Sequence, residues 1–396
     1  MLYNVLIVED HPFQYEYLLN LFKEFGDVRV EAACDGHSAL KRLDEADFDL
    51  VLTDLVMPGM DGVQFIQQLA SRTLTPALAI MSSASQRMII SASLVAQSLG
   101  LKVIGQLSKP VLSGSVQKLM KELDTWLGAS QTLDIGQPVF SREMLQQALA
   151  SEVLQAWFQP KKSLVNGRII SAEALARWPH PQHGLLMPAD FLPAVVRFGL
   201  EEQLLMLFVK QTILAQSRWR KQGYDIPVSI NLPTHLLDSD SLADRLFDLV
   251  IEHDGVPGMI GFELMECSTT DNISKFYAGA CRLRMKGFGL AQDDFGQGYS
   301  SYFNLVSTPF TELKIDRALV QGCVENKNLA LAIASIVALG QQLGLEVVAE
   351  GVESQEELVL LRQLKCDAVQ GFLISQAVSP DQFNTLLSED GPPTSH

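Results

Sequence analysis

The chain has 396 residues, which is long for one domain and sufficient for two, because single domains usually span roughly 100–200 residues. Its net charge of −16 argues against nucleic-acid binding by bulk electrostatic attraction, since neutralising phosphates needs a basic face. Five scattered cysteines without a C-x-x-C pair indicate neither a disulfide framework nor a thiolate zinc site, and no signal peptide or membrane-length apolar run is present. We therefore expect a cytoplasmic protein without membrane or nucleic-acid partners.

The N-terminal segment alternates short β-branched runs with amphipathic stretches of helix length, the pattern of a parallel βα sheet. The runs are NVLIVED, DLVLTDL, ALAIMSS and KVIGQLSKP. We expect a doubly wound α/β domain over residues 1–127. The runs carry Glu9 and Asp10, Asp54, and Lys109 near their ends. Each of these residues is ordinary by itself, because an aspartate after a buried strand often caps the next helix.

A linker is expected over residues 128–140, where ASQTLDIGQP interrupts the periodicity with small and polar residues, Gly and Pro. Residues 141–390 again alternate apolar runs with helical segments, and residues 391–396 form a tail. In a (β/α)8 barrel, the C-terminal ends of the strands converge at one mouth. The spacing predicts a TIM-like (β/α)8 barrel with these polar residues at its strand ends: Glu173, Asn231, Glu263, Asp293, Lys314, Glu350 and Gln370.

The acidic residues at these strand ends have two interpretations. They could cap the following helices, and LAQDDFGQGYSS at 290–301 could be a simple turn, since Asp accepts backbone hydrogen bonds and Gly adopts positive φ. Capping alone does not explain Asn, Lys and Gln at the same level. Converging carboxylates repel one another unless cations lie among them, and Mg²⁺ or Mn²⁺ prefers carboxylate and amide oxygens. We favour a two-metal site, which in phosphodiester hydrolysis activates water and holds the leaving oxygen.

Eight stretches carry a specific resemblance: FQP, AEALARW, SINL, FELME, DDFGQGYSS, ELKID, AEGVE and QGF. In this order and spacing they resemble the EAL-domain cyclic di-GMP phosphodiesterases over residues 141–390. The resemblance implies hydrolysis of cyclic di-GMP to linear pGpG with two Mg²⁺ or Mn²⁺ ions, and a homodimer or higher homo-oligomer. Ca²⁺ is expected to inhibit, because it prefers longer bonds and looser coordination.

The resemblance also implies residue roles at the metal centre. One metal is held by Glu173, Asn231, Glu263 and Asp293, and the other by Asp293 and Asp294. Lys314 matches the group that orients the nucleophilic water, and Glu350 matches the general base.

Other matched positions hold substrate, support the site or depart from the family. The supporting positions are Gln159, Leu175, Arg177, Asp316, Glu353 and Gln370. Glu266 matches the glutamate that anchors the 290–301 loop, which family members couple to dimerisation and turnover. Gln297 stands where the family usually has Thr, and Gln376 stands where it often has Arg. Neither departure replaces an expected metal ligand.

The stretches LIVEDH, LVLTDLVMPGMDG and LSKP together resemble a response-regulator receiver domain over residues 1–127, a flavodoxin-like fold. The resemblance implies that Glu9, Asp10 and Asp54 hold one Mg²⁺. Asp54 is the expected phosphoacceptor, with a sensor histidine kinase or phosphotransfer protein as donor, and Lys109 pairs with the product.

The switch positions of the receiver are only partly filled. Ser82 matches the hydroxyl that contacts the phosphoryl oxygen, with Ser83 as the alternative. Gln106 occupies the place where the family commonly has an aromatic residue, so the usual aromatic signal is not assumed.

Two functions compete with that of a phosphorylation-regulated phosphodiesterase: a cyclic di-GMP receptor and a transcription factor. A non-catalytic cyclic di-GMP receptor would keep the pocket without turnover, and the complete ligand set argues against it. A transcription factor is disfavoured because no helix-turn-helix segment or basic face is present. His180 and His183 lie in a Pro/Gly-rich loop without the geometry expected of a metal pair.

Overall fold

The computed structural model describes residues 3–23, 25, 28–72, 75–83, 86–132, 140–265, 272–296 and 302–391. The chain divides into two compact units, Met1–Gln137 and Pro138–His396. Within the described ranges, no helix combines the length and apolar character needed to cross a bilayer.

The N-terminal unit is a five-stranded parallel sheet with strand order β2-β1-β3-β4-β5. Its strands are β1 (Tyr3–Val8), β2 (Val28–Ala33), β3 (Leu50–Asp54), β4 (Ala77–Ser82) and β5 (Val103–Ser108). Its helices are α1 (Pro12–Lys23), α2 (Gly36–Glu45), α3 (Gly62–Ala70), α4 (Gln86–Ser98) and α5 (Ser113–Thr132). The predicted doubly wound sheet is confirmed.

Alternate side chains of the central strands enter two separate cores, one on each face of this sheet. Leu6 and Val51 pack with residues of α2, α3 and α4, whereas Ile7 and Leu52 pack with residues of α1 and α5. Burial on both faces explains why these strands read as continuous apolar runs. Helix α5 continues to Thr132, so the first residues of the predicted linker are helical.

The C-terminal unit contains a closed ring of eight strands, in the order β6-β14-β13-β12-β11-β10-β9-β7 and back to β6. The ring strands are β6 (Gln155–Ser163), β7 (Ile169–His180), β9 (Val228–Asn231), β10 (Ile260–Leu264), β11 (Gly289–Phe295), β12 (Glu312–Ile315), β13 (Glu346–Ala349) and β14 (Ala368–Val369). A short strand, β8 (Gly184–Leu186), pairs with β7 outside the ring.

Helices cover the outside of the ring and pack on it through one large apolar core. The α-helices are α6 (Arg142–Ala150), α7 (Pro188–Arg197), α8 (Glu201–Arg220), α9 (Leu242–Glu252), α10 (Ile273–Met285), α11 (Tyr302–Ser307), α12 (Arg317–Val320), α13 (Lys327–Gln342), α14 (Gln355–Gln363) and α15 (Pro380–Asp390). Two 3₁₀ turns lie at Thr234–Asp238 and Pro257–Met259.

The ring confirms the predicted TIM-like barrel with one difference in strand direction. Strand β6 runs antiparallel to both of its neighbours, β7 and β14, while the other neighbouring strands are parallel. The connection from β6 to β7 is a short turn, and a parallel pair needs a crossover of a dozen or more residues. The first two strands therefore form a hairpin.

Gly62 is a packing constraint next to the end of β3. A Cβ placed on Gly62 would lie 2.3 Å from the carbonyl oxygen of Asp54 and 2.6 Å from Cα of Leu55. Both atoms are backbone and cannot rotate away, so Gly62→Ala must shift the segment after β3.

We expect Gly62→Ala to lower the free energy of unfolding of the N-terminal unit by about 1–3 kcal/mol, the usual cost of overpacking. Gly114→Ala is the matched control, because a Cβ there meets no atom within 4 Å. It should be neutral or stabilise by up to about 1 kcal/mol, since Gly costs more backbone entropy than Ala in a helix. Urea unfolding, monitored through hydrogen exchange of peptides from the N-terminal unit, measures the effect of each substitution on the free energy of unfolding. Equal effects of the two substitutions would contradict this packing argument.

Candidate functional site

The centre of the barrel mouth is the ammonium group of Lys314, at the C-terminal half of β12. Its Nζ lies 2.5 Å from Glu263 Oε2, 2.7 Å from Glu350 Oε1, 3.0 Å from Asp293 Oδ1 and 3.4 Å from Glu173 Oε2. These carboxylates come from β10, from the residue after β13, from β11 and from β7. The side chain of Lys314 is 2% exposed. Parallel strands thus bring residues far apart in sequence onto one buried cation.

Amide side chains complete the rim of this cluster. Asn231 Nδ2 donates a hydrogen bond of 2.9 Å to Glu173 Oε1. Gln370 Nε2 donates to Glu173 Oε2 at 2.7 Å and to Gln159 Oε1 at 3.0 Å. Gln159 Nε2 donates to the carbonyl of Ser375, the residue before the exposed Gln376. The structure therefore brings all seven predicted strand-end residues together, with Gln159 beside them.

The two adjacent aspartates both reach the mouth because β11 is irregular at this point. Gln292 pairs with Leu313, and Phe295 pairs with Ile315. Two residues of β11, Asp293 and Asp294, therefore stand opposite one residue of β12, Lys314. Asp294 has φ of +54°, in the left-handed region that Asp tolerates better than most residues. In a regular strand, successive side chains would point to opposite faces. The bulge lets carboxylate oxygens of Asp293, Asp294 and Glu350 lie within 4.8 Å of one another.

Burial and mutual repulsion raise the pKa values of the carboxyl groups in the cluster, and the buried lysines lower them. Burial, with Glu263 nearby, raises the pKa of Glu173 to about 7. Burial also raises the pKa of Glu350 to about 8, against the attraction of Lys314. Burial and the charge of Asp293 raise the pKa of Asp294 to about 6. Burial alone would raise the pKa of Glu263, but Lys314 and Lys161 outweigh it and lower that pKa to about 2.

A second buried lysine, which the sequence interpretation did not identify, lies beneath Glu263. Lys161 Nζ is 3.0 Å from Ser229 Oγ, 3.2 Å from Glu263 Oε1 and 2.5 Å from Glu312 Oε1. The two-residue period of strands could have identified these buried residues from the sequence. Lys161, Ser229 and Glu312 stand two residues from the predicted site residues Gln159, Asn231 and Lys314, respectively. Each residue therefore shares a strand face with a predicted site residue.

The remaining predicted residues of the barrel have varied surroundings. Arg177 is buried, and its guanidinium lies 5.8 Å from the centre of the Trp157 ring. Leu175 pairs with Trp157 across β7 and β6. Asp316 caps α12 by accepting a hydrogen bond of 2.8 Å from the N–H of Ala318. The capping interpretation therefore applies at Asp316, where a contact with Asp294 also raises the pKa of Asp294.

Of the three remaining predicted positions, the structure describes Glu353. Glu353 is exposed and accepts a hydrogen bond of 3.3 Å from Gln321. Glu266 and Gln297 lie outside the described residues.

His180 and His183 pack against each other with ring centres 4.7 Å apart, and His180 also packs against Trp178. Across the described ranges, no acidic or cysteine side chain joins these histidines in a metal-binding group.

The N-terminal unit has its own acidic pocket at the carboxyl edge of the sheet. Carboxylate oxygens of Glu9, Asp10 and Asp54 lie within 4.8 Å of one another. Lys109 Nζ contacts Glu9 Oε2 at 2.7 Å and forms an ion pair with Asp54 Oδ2. The crossover order of the strands places these loops side by side, as in other open parallel sheets that bind ligands at this edge.

The switch positions of this pocket lie on β4, which is next to the strand of Asp54, and on β5, which is next to β4. Ser82, at the end of β4, is buried and pairs in register with Ser108 on β5. Gln106 is exposed on β5. The place of the usual aromatic residue is thus held by a solvent-facing amide.

Family comparisons agree with both units. Residues 142–377 match the EAL domain and residues 5–123 match the response regulator receiver domain. Over 96% of its length, the chain is 32% identical to cyclic di-GMP phosphodiesterase RocR of Pseudomonas aeruginosa, of which the match covers 97%.

A second relative matches a shorter part of the chain. The bifunctional diguanylate cyclase/cyclic di-GMP phosphodiesterase MucR of Pseudomonas aeruginosa is 34% identical over 60% of this chain, and the match spans only 35% of MucR. The solved structure of the MucR phosphodiesterase in complex with c-di-GMP superimposes with a TM-score of 0.57 at 33% identity, covering 61% of this chain and 98% of that one.

The match to the EAL domain covers more than half of the chain, and the match to RocR covers nearly all of it. The chain therefore belongs to the EAL-domain family, with a response-regulator receiver domain preceding its EAL domain.

Proposed function

We propose that this protein is a receiver-regulated phosphodiesterase that hydrolyses cyclic di-GMP to linear pGpG with two divalent metal ions. The observation that carries the proposal is the convergence of Glu173, Glu263, Asp293 and Glu350 on one buried lysine at the barrel mouth. Family membership and the activity in the names of RocR and MucR support the substrate.

The donor set suits small hard cations. It offers carboxylate oxygens and one amide, without Cys or His, as Mg²⁺ and Mn²⁺ prefer. Among the described residues, the buried Asp293 Oδ1 and Gln370 Oε1 accept no hydrogen bond, although Lys314 Nζ lies 3.0 Å from the former. Burial, with repulsion from neighbouring carboxylates, raises the pKa values of Glu173, Asp294 and Glu350, and a bound cation would favour their charged forms.

Residue roles follow from these positions. Glu173, Asn231, Glu263, Asp293 and Asp294 would hold the ions, which when bound activate water and stabilise the leaving oxygen. Asn231 donates through Nδ2 to Glu173, which leaves its amide oxygen as the ligand atom. Gln159, Gln370 and Arg177 are the proposed contacts for a phosphate and a guanine, and Leu175, Asp316 and Glu353 are further proposed substrate contacts.

Glu350 is suited to accept the proton of the attacking water. Burial raises its pKa to about 8, and a general base works best when its pKa lies near the working pH. Lys314 contacts Glu350 at 2.7 Å and so fixes the base and holds charge beside the reacting water.

The receiver unit supplies the regulatory input. We propose that Asp54 accepts a phosphoryl group from a histidine kinase or phosphotransfer protein, with one Mg²⁺ at Glu9, Asp10 and Asp54 and with Lys109 and Ser82 contacting the product. The mutual approach of these groups supports the assignment. A homodimer or higher homo-oligomer is the proposed assembly.

The decisive experiment is incubation of the purified protein with Mg²⁺ and cyclic di-GMP, with the products resolved by chromatography. Accumulation of pGpG supports the proposal. Binding of cyclic di-GMP without turnover would instead indicate a receptor.

Removal of the proposed base gives the first prediction for this site. Glu350→Ala should lower the hydrolysis rate about 10²–10⁴-fold while cyclic di-GMP still binds, because no metal ligand is deleted. Single-turnover rates and calorimetric binding measure the two effects. Glu356→Ala is the control, since Glu356 is exposed in the first turn of α14 and should leave both quantities unchanged. A Glu350→Ala enzyme with near-normal turnover would exclude the assigned role.

Metal exchange gives the second prediction. Ca²⁺ should support little hydrolysis and should inhibit the Mg²⁺ enzyme, because its bonds of about 2.3–2.6 Å do not fit sites built for bonds of about 2.0–2.1 Å. Steady-state rates with each ion, and with Ca²⁺ titrated against Mg²⁺, test this. Excess Mg²⁺ should restore the rate. Equal rates with Ca²⁺ and Mg²⁺ would argue against two small-ion sites.

The receiver gives the third prediction. Asp54→Asn should preserve basal hydrolysis and abolish the change in rate caused by a small-molecule phosphoryl donor, because the acceptor carboxylate is lost. Asp61→Asn is the matched control, since Asp61 caps α3 and Asn caps equally well. Rates with and without donor are compared while mass spectrometry follows phosphorylation. A persisting response in Asp54→Asn, or no response in a phosphorylated wild type, would contradict the assignment.

A further inference from the structure

Lys161 is a charged side chain in the interior of the barrel that the catalytic scheme above does not use. Its side chain is 1% exposed, and its Nζ is surrounded by oxygens of Ser229, Glu263 and Glu312. The next residue, Lys162, has a 34% exposed side chain that turns to Asp390 at 3.3 Å. Adjacent lysines of β6 thus have opposite environments.

The two oxygens of Glu263 have different partners. Oε2 contacts Lys314 Nζ at 2.5 Å on the mouth side. Oε1 lies 3.2 Å from Lys161 Nζ and accepts a hydrogen bond from the Ser229 hydroxyl. The carboxylate plane of Glu263 is therefore fixed from below by an ammonium and a hydroxyl.

Glu312 keeps this arrangement electrically balanced. Its Oε1 lies 2.5 Å from Lys161 Nζ, and its side chain is 15% exposed. Lys161 consequently has one carboxylate partner that faces the metal site and one that does not. A buried ammonium with two carboxylate partners is held in place, because a movement away from them would leave a buried charge without compensation.

We infer that Lys161 is a positioning residue that, with Ser229, holds Oε1 of Glu263 and so presents Oε2 as the single metal-binding atom. The inference rests on the proposed metal-dependent function. It adds two residues that do not bind the metal but hold one of its ligands. Partners of metal ligands orient those ligands, and their loss typically lowers metal affinity about 10–100-fold.

The test measures binding of Mn²⁺ alone to the full chain, through the electron paramagnetic resonance signal of the free ion. The double variant Lys161→Met/Glu312→Gln removes the ammonium without leaving Glu312 as an unpaired buried charge. Glu312→Gln alone shows the share of the effect that comes from Glu312. Lys162→Met is the matched control on the outward face of β6. The receiver pocket is the same in every variant, so its contribution cancels.

We expect the double variant to bind one Mn²⁺ about 10–100-fold more weakly than Glu312→Gln, and Lys162→Met to bind as the wild type does. Equal Mn²⁺ affinity of the folded double variant and Glu312→Gln would overturn the inference. If the double variant does not fold, Ser229→Ala decides, because it removes one donor to Oε1 without a change of charge. Weaker Mn²⁺ binding by Ser229→Ala supports the inference, and unchanged binding overturns it.

Hydrolysis by the wild type separates this inference from the proposed function. A wild type that hydrolyses cyclic di-GMP, with unchanged Mn²⁺ binding in the variants, loses only the positioning role of Lys161. A wild type that neither binds Mn²⁺ nor hydrolyses cyclic di-GMP contradicts both.

Discussion

The buried ammonium of Lys314 is the interaction on which the barrel mouth depends. Four carboxylates from different strands approach it within 3.4 Å. Without a cation among them, these carboxylates would repel one another in a site that water scarcely reaches. Buried pairs of this kind add little net stability, but loss of one partner typically costs about 3–5 kcal/mol because the other charge stays buried. The cluster therefore serves the chemistry of the site more than the stability of the fold, and substitutions of its residues are poorly tolerated.

The same architectural rule builds the receiver pocket. Lys109 contacts Glu9 and Asp54 at the carboxyl edge of an open parallel sheet, as Lys314 contacts its partners at the carboxyl end of a closed one. Strands β3 and β4 of the first unit are buried along their length and β10 of the second nearly so, and polar side chains collect where such strands end. Such a site consists of one lysine and several acids at the ends of strands. It needs few special features of the backbone beyond the strands themselves.

Charge in the barrel is arranged in two levels. Lys314 meets the carboxylates from the mouth side, and Lys161 meets Glu263 and Glu312 from the interior. Glu263 lies between the two ammonium groups, which lower its pKa to about 2 despite complete burial. Burial and the charge of Glu263 raise the pKa of Glu173 to about 7. Identical side chains in one cluster thus differ in acidity according to the cations beside them.

The sequence alone determined the two-unit organisation, the strand runs and the acids at their ends, because hydrophobic periodicity and residue spacing are local properties of the chain. It also indicated which residues share a level of the barrel, since equivalent ends of successive strands meet at one mouth. It left open whether those acids cap helices or face the mouth. The structure shows capping at Asp316 and a shared cluster for Glu173, Glu263, Asp293 and Glu350.

Tertiary structure decided the features that depend on strand pairing. Asp293 and Asp294 would point to opposite faces of a regular strand, and only the bulge against β12 turns both toward the mouth. The two-residue period places Lys161 on the same face of β6 as Gln159, but the pairing of β6 with β7 in the closed ring decides that this face points into the barrel. The reversed direction of β6 likewise follows from its hairpin with β7. The register of β11 against β12, which creates the bulge, is set by contacts between residues distant in sequence, and no local pattern encodes it.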